Sequence, residues 1–122
     1  PTEGRWGFYA RILQGPFGSP LNSEYWEANS PLTLADHPNQ FGRLKLYFDC
    51  GDHDRYGFEE GAQQLHEKLE TKGFPHDFAL RPGDHGWSYL AQYMKYSLLF
   101  HWQWFKHGAQ ALTASGKGAG TP

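Results

Sequence analysis

From Arg43 the chain alternates polar and apolar residues with period two. Arg43-Leu44-Lys45-Leu46-Tyr47-Phe48-Asp49-Cys50 reads as a strand that ends at Gly51. After a polar loop the period changes. Over 57–72, Phe58, Ala62, Leu65 and Leu69 recur at spacings of four, three and four, which is one face of a helix. Glu59, Glu60, Gln64, Glu67, Lys68 and Lys72 turn outward, and Gly73 closes the helix in the position of a left-handed cap. His76-Asp77-Phe78-Ala79-Leu80-Arg81 is a second short strand, stopped by Pro82-Gly83. A strand–helix–strand run of this length predicts parallel pairing with a right-handed crossover. A last helix is predicted from about Ser88 to His107. One of its stripes holds Leu90, Met94, Leu98, His101 and Phe105, the other Tyr89, Tyr93, Tyr96, Phe100 and Trp104. A helix apolar on two sides is expected to be buried on two sides.

The flanks lack this regularity. Residues 1–40 read as a loop-rich cover with short helices, because Gly15-Pro16-Phe17-Gly18-Ser19-Pro20 is turn chemistry throughout. Asn22 or Ser23 caps one brief helix through Tyr25, Trp26 and Ala28; Ser30-Pro31 opens another before Leu32-Thr33-Leu34. The aromatics of this cover (Trp6, Phe8, Tyr9, Phe17, Tyr25, Trp26) are expected to pack onto other parts of the fold. Residues 41–107 form the ordered body. Residues 108–122 are small residues, Gly and one Lys, and are expected to be a flexible tail.

Composition narrows the function classes. A length of 122 residues allows one modest domain. Eleven Lys+Arg against 13 Asp+Glu, net charge -2, argue against nucleic acid or an acidic membrane surface as the main partner. No apolar run approaches the ~18 residues of a membrane span, and Pro1-Thr2-Glu3-Gly4 has no signal pattern. The single Cys50 excludes an internal disulfide; it is compatible with the cytoplasm and leaves the compartment open. Nine Phe, 7 Tyr and 5 Trp are a heavy aromatic load, and a chain this size buries only roughly two-thirds of its unfolded surface.

Two acid–imidazole clusters follow the two strands: Gly51-Asp52-His53-Asp54-Arg55, and Pro82-Gly83-Asp84-His85-Gly86-Trp87. In a parallel sheet both leave from the carboxyl edge, where open α/β folds place their ligand sites. A carboxylate from one loop and an imidazole from the other would make the orienting half of a nucleophile–His–acid triad. Equally, on spacing alone, Asp52 and Asp54 are turn formers and His85 a loop residue. Asp52, His53, Asp54, Asp84 and His85 could instead make a mixed metal site, but no close-spaced ligand pair sits on a helix and no Cys set accompanies them. No cofactor is implied. His66 reads as a surface or boundary residue, His101 as a core histidine, and Cys50 as a buried small hydrophobe rather than a nucleophile. Ser115-Gly116-Lys117-Gly118 only echoes a phosphate loop, because no Gly stands at 111 and Gly118 replaces the required Ser or Thr.

The run Leu46-Tyr47-Phe48-Asp49-Cys50-Gly51-Asp52-His53-Asp54, then Leu65-His66-Glu67-Lys68-Leu69 with Gly73, then Arg81-Pro82-Gly83-Asp84-His85-Gly86-Trp87, resembles the C-terminal part of α/β-hydrolase esterases. These are the relatives of S-formylglutathione hydrolase and the feruloyl esterases. The resemblance covers about residues 26–107. It implies an α/β fold, specifically the C-terminal β-α-β-α portion of an α/β-hydrolase. It further implies that the acid of a strand-end Gly-x-x-Asp is Asp54 and that the catalytic His, after a Pro-Gly turn and before a Trp, is His85. Asp52 remains the other candidate for the acid. The order acid then His, 31 residues apart, fits the hydrolase order Ser, Asp, His.

The nucleophile does not follow the pattern. No Gly-x-Ser-x-Gly elbow occurs among Ser19, Ser23, Ser30, Ser88, Ser97 and Ser115. Pro20 follows Ser19 and removes an oxyanion-hole amide, and Ser88 reads as the cap of the last helix. The expectation is therefore a portion of a serine carboxylesterase domain about twice as long. It would supply Asp54 and His85 to a small ester substrate and associate with an N-terminal part or with further copies of itself. Two readings compete: a self-associating structural or binding protein built on an esterase segment, and a carbohydrate-binding module stacking sugars on Trp and Tyr.

Overall fold

A computed structural model describes residues 11–116. They fall into two compact units, one of residues 11–44 with Gln64–Pro75, the other of Lys45–Gln63 with the chain from His76 onward.

In the first unit residues 11–17 are helical, followed by α1 (Ser23–Asn29), α2 (Pro31–Leu34) and a 3-10 turn, Pro38–Phe41. The first of these corrects the turn expected at Gly15-Pro16-Phe17. The helix runs through Pro16, the Gly18 N–H donates to the Gln14 carbonyl at 3.0 Å, and Gly18 at φ 90 ends it. Asn22 caps α1, its Oδ1 accepting from the Tyr25 amide at 3.0 Å, and Pro31 opens α2 where its missing N–H costs no bond. Phe17 packs on Tyr25 and edge-on against Trp26 at 4.8 Å, so these cover aromatics contact one another. Trp6, Phe8 and Tyr9 lie outside the described residues.

The helix α3 (Phe58–Thr71) gives its first turns to the second unit and its last turns to the first. Its end is a Schellman motif: Gly73 takes φ 66, its N–H donates to the Glu70 carbonyl, and the Phe74 N–H reaches the Leu69 carbonyl at 2.9 Å. Leu69 is fully buried, whereas Phe58, at the far end of the same predicted stripe, is exposed. Lys68, expected to point outward, is half-buried. Its ammonium donates to the Leu32 carbonyl and to Asp36 Oδ2, both at 2.8 Å.

The second unit holds the sheet. The strands β1 (Leu46–Gly51) and β2 (His76–Arg81) pair in parallel, with Leu46 opposite His76, Phe48 opposite Phe78 and Gly51 opposite Arg81. The chain is thus mixed helix and strand with a small parallel sheet. β1 starts three residues later than its alternation predicts. Pro75 precedes the register and has no N–H for a ladder bond, so Arg43–Lys45 find no strand opposite. Phe48 stacks between Phe78 and His76 on one face. On the other, Tyr47 meets Phe100 at 5.5 Å, Asp49 pairs with Arg81 at 3.5 Å, and the Arg81 guanidinium lies 4.0 Å from the Tyr96 ring.

That second face is covered by α4 (Trp87–Gly116). Its stripe through Tyr89, Tyr93 and Phe100 packs inward, and Lys45 lies over Trp104 at 4.6 Å. The opposite stripe is not buried: Leu90, Met94, Leu98 and Phe105 are exposed, and so are Trp87 and Trp102. His101 is exposed as well, and its ring contacts Phe100 and Phe105 of its own helix. Within this chain His101 is therefore not the core histidine expected, and the second stripe is left exposed, because one sheet face covers only one side of the helix. Ser88 is the second residue of α4 and not its cap, since the Leu90 N–H bonds the Gly86 carbonyl at 3.1 Å. The helix also continues past His107, where a tail was expected, through the strong helix formers Ala109, Gln110, Ala111 and Leu112. Residues 117–122 of that tail, with the Lys117-Gly118 of the phosphate-loop echo, lie outside the described residues.

Candidate functional site

The parallel register brings Gly51 and Arg81 level, so the loops after β1 and β2 start side by side. Their approach is very close. A Cβ on Gly51 would stand 2.4 Å from the Gly83 carbonyl oxygen, so only glycine allows the two backbones to meet. Gly83 adopts φ 141, a conformation side chains resist, and a Cβ there would press on the Tyr89 ring at 3.1 Å.

Hydrogen bonds then stitch the two loops together. The Asp52 N–H donates to the Arg81 carbonyl at 2.8 Å and the His53 N–H to the Gly83 carbonyl at 3.0 Å. The Gly83 N–H returns a bond to Asp52 Oδ1 at 3.0 Å. One residue pair further out, Asp84 Oδ1 accepts the Arg55 N–H at 2.8 Å and the His85 N–H at 2.6 Å, while Oδ2 takes the Arg55 guanidinium.

Within this frame Asp54 and His85 meet. His85 Nδ1 lies 3.0 Å from Asp54 Oδ2. The carboxylate is buried and held from a second side by the Tyr56 N–H, which donates to Oδ1 at 2.8 Å. A turn closed by the Gly57 N–H on the Asp54 carbonyl, with Gly57 at φ 75, sets that geometry. A buried carboxylate that only accepts bonds requires the proton on Nδ1, which makes Nε2 the nitrogen able to exchange one. The imidazole is half exposed, and the edges of Tyr56 and Phe58 flank it at 5.0 and 5.5 Å between ring centres.

Asp52, the rival for the acid, is engaged elsewhere: its Oδ1 lies 2.6 Å from Nδ1 of the adjacent His53. The His53 bond and then the Gly83 N–H hold the Asp52 carboxyl below its ordinary range, and the same contact raises the His53 imidazole above its own. Asp84 is held far below the carboxylate range, first by the Arg55 side chain and then by the two amides it accepts. Burial, and then the Asp54 charge, push the Cys50 thiol up to about 11. Cys50 is therefore a neutral thiol at physiological pH, and its Sγ lies 3.7 Å from Asp54 Oδ2, donating to the acid and not engaging the imidazole. Among the described residues no group of three or more His, Cys, Asp and Glu could hold a metal ion. No helix among them is long and apolar enough to cross a membrane.

Asp54 and His85 are thus brought together, and Asp52 and His53 form a pair of their own. Arg55 and Asp84 carry a structural duty that spacing did not reveal. The available signal was only their adjacency: each is the chain neighbour of a residue in the acid–imidazole pair. No family model matches the chain, and no curated protein and no solved structure matches it.

Proposed function

We propose that this chain supplies the acid and the general base of a Ser-His-Asp carboxylesterase, as the C-terminal β-α-β-α portion of an α/β-hydrolase fold. The observation that carries the reading is the 3.0 Å contact from a buried Asp54 to a half-exposed His85 at the carboxyl edge of a parallel sheet. In this mechanism His85 Nε2 takes the proton of a serine hydroxyl as its oxygen attacks the ester carbonyl carbon. Asp54 stabilises the imidazolium that forms. His85 then returns the proton to the departing alkoxide, and water, activated in the same way, releases the acid. The serine belongs to chain outside these 122 residues. Cys50 does not replace it, because its thiol is neutral and sits on the acid's side.

The test is hydrolysis of a short-chain aryl ester by the full product of the source gene, with fluorophosphonate labelling to locate the nucleophile. Turnover that collapses in His85→Ala, and a labelled serine in a Gly-x-Ser-x-Gly setting, are expected. Full turnover in His85→Ala overturns the assignment.

A second reading draws on α4. Its exposed stripe of Trp87, Leu90, Met94, Leu98 and Phe105 favours a non-catalytic protein that hides this face by self-association. Light scattering on the purified chain separates the two: a monomer without ester turnover sinks self-association, and a dimer without turnover favours it.

A further inference from the structure

We infer that Asp84, through its single oxygen Oδ1, is the positioning residue that sets His85 against Asp54. The inference rests on the acid–base reading of that pair and adds a residue to it. The two pairs are crossed neighbours in the chain: Asp54 is followed by Arg55, Asp84 by His85, and the bonds run Asp54 to His85 and Asp84 to Arg55. Asp84 Oδ1 accepts the Arg55 N–H at 2.8 Å, the peptide group directly after the acid. It also accepts the N–H of His85 itself at 2.6 Å. One oxygen therefore locks the backbone on both sides of the acid–imidazole contact.

The side-chain part of the clamp is the weaker part. Arg55 and Asp84 are both exposed enough for salt to screen their charges, and such pairs contribute little. The amide bonds are fixed by backbone geometry and do not depend on a long mobile side chain. Oδ1, rather than the guanidinium that meets Oδ2, is then what holds the base in register. Asp84 touches no reacting atom in this scheme; it acts through His85.

The readout is the imidazole nitrogen spectrum of His85 in the uniformly labelled 122-residue chain, above the imidazole titration. With Nδ1 bonded to Asp54 the two ring nitrogens give widely split signals. In Asp84→Ala the split is expected to collapse to the average of exchanging tautomers, with His66 and His101 unmoved. Asp84→Asn, whose amide oxygen still accepts both N–H groups, and Arg55→Ala are expected to retain most of it. A full split in a folded Asp84→Ala overturns the inference. If Asp84→Ala loses its far-ultraviolet dichroism, the other two variants decide: collapse in either, with the fold intact, contradicts the role given to Oδ1, and retention in both supports it. Asp54→Ala, which removes the acceptor from Nδ1, is the control. If it leaves the split unchanged, the acid–base reading itself fails. If it collapses the split while Asp84→Ala does not, only the positioning role fails.

Discussion

Among the described residues of the second unit, Asp52–His53 and Asp54–His85 are acid–imidazole pairs of the same chemistry in different settings. In Asp52–His53 the partners are adjacent in the chain, and their side chains are 34% and 83% exposed. In Asp54–His85 they come from loops 31 residues apart, the carboxylate side chain is 3% exposed and the ring 51%. The first pair has the shorter contact, 2.6 Å against 3.0 Å, yet it is set in water, where such a contact is worth little. What separates the two is directional restraint. Asp54 is shielded and held by the Tyr56 amide, and His85 is held by Asp84, so one ring nitrogen is committed and the other is presented. Distance alone ranks the exposed pair first, and burial and restraint rank the other.

The largest effect that sharpens this contrast is on turnover. In the full gene product, Asp54→Asn and His85→Ala are expected to lower ester hydrolysis by about 10³-fold or more, the scale of losing a triad member. Asp52→Asn and His53→Ala are expected to leave it within about 2-fold, since neither touches the base. Initial rates on a chromogenic ester check all four. Equal losses in both sets would erase the distinction.

Next come the effects on stability. Gly51→Ala forces a Cβ against the Gly83 carbonyl and should part the loops, costing about 1–3 kcal/mol by overpacking. Asp54→Ala leaves the Tyr56 N–H without its buried acceptor and should cost about 2 kcal/mol. Urea midpoints at constant m-value report both, and wild-type midpoints would deny that the loops are tightly stitched.

The smallest expected effect is the pH response of the exposed pair. His53 is raised above its ordinary 6.5, so its contribution is full below that value and lost as pH rises through the raised pKa. Asp52 is lowered below 3.8, so its contribution is present above that value and lost as pH falls through the lowered pKa. The stability difference between wild type and Asp52→Asn should therefore peak at about pH 5 and shrink toward both ends. A difference that is flat with pH would show that the exposed pair contributes nothing through charge.

Much of this frame was legible along the chain, and the remainder has identifiable reasons. The strand 76–81, the helix capped by Gly73 and the parallel pairing follow from period, turn residues and crossover length, which are local properties. The start of β1 depends on Pro75, the residue before the opposite strand, which period alone does not register. The two apolar stripes of α4 were correctly located, but hydrophobicity reports a demand for burial and not its fulfilment; only the tyrosine stripe meets the sheet. Asp54 and His85 could be picked out as strand-end residues, but spacing left Asp52 open beside Asp54 and only the resemblance favoured Asp54; the turn at 54–57 sets which carboxylate points at the imidazole. The Arg55–Asp84 clamp spans 29 residues and joins two loops, so no spacing rule exposes it.

The most direct test of the central claim is the location of the proton on His85. Long-range nitrogen–proton correlation at about pH 9, above the ordinary imidazole range, reads it without requiring any turnover. A proton on Nδ1 and a bare Nε2 are expected in the wild-type chain. A proton on Nε2, or the averaged signals of a freely exchanging ring, would contradict that claim.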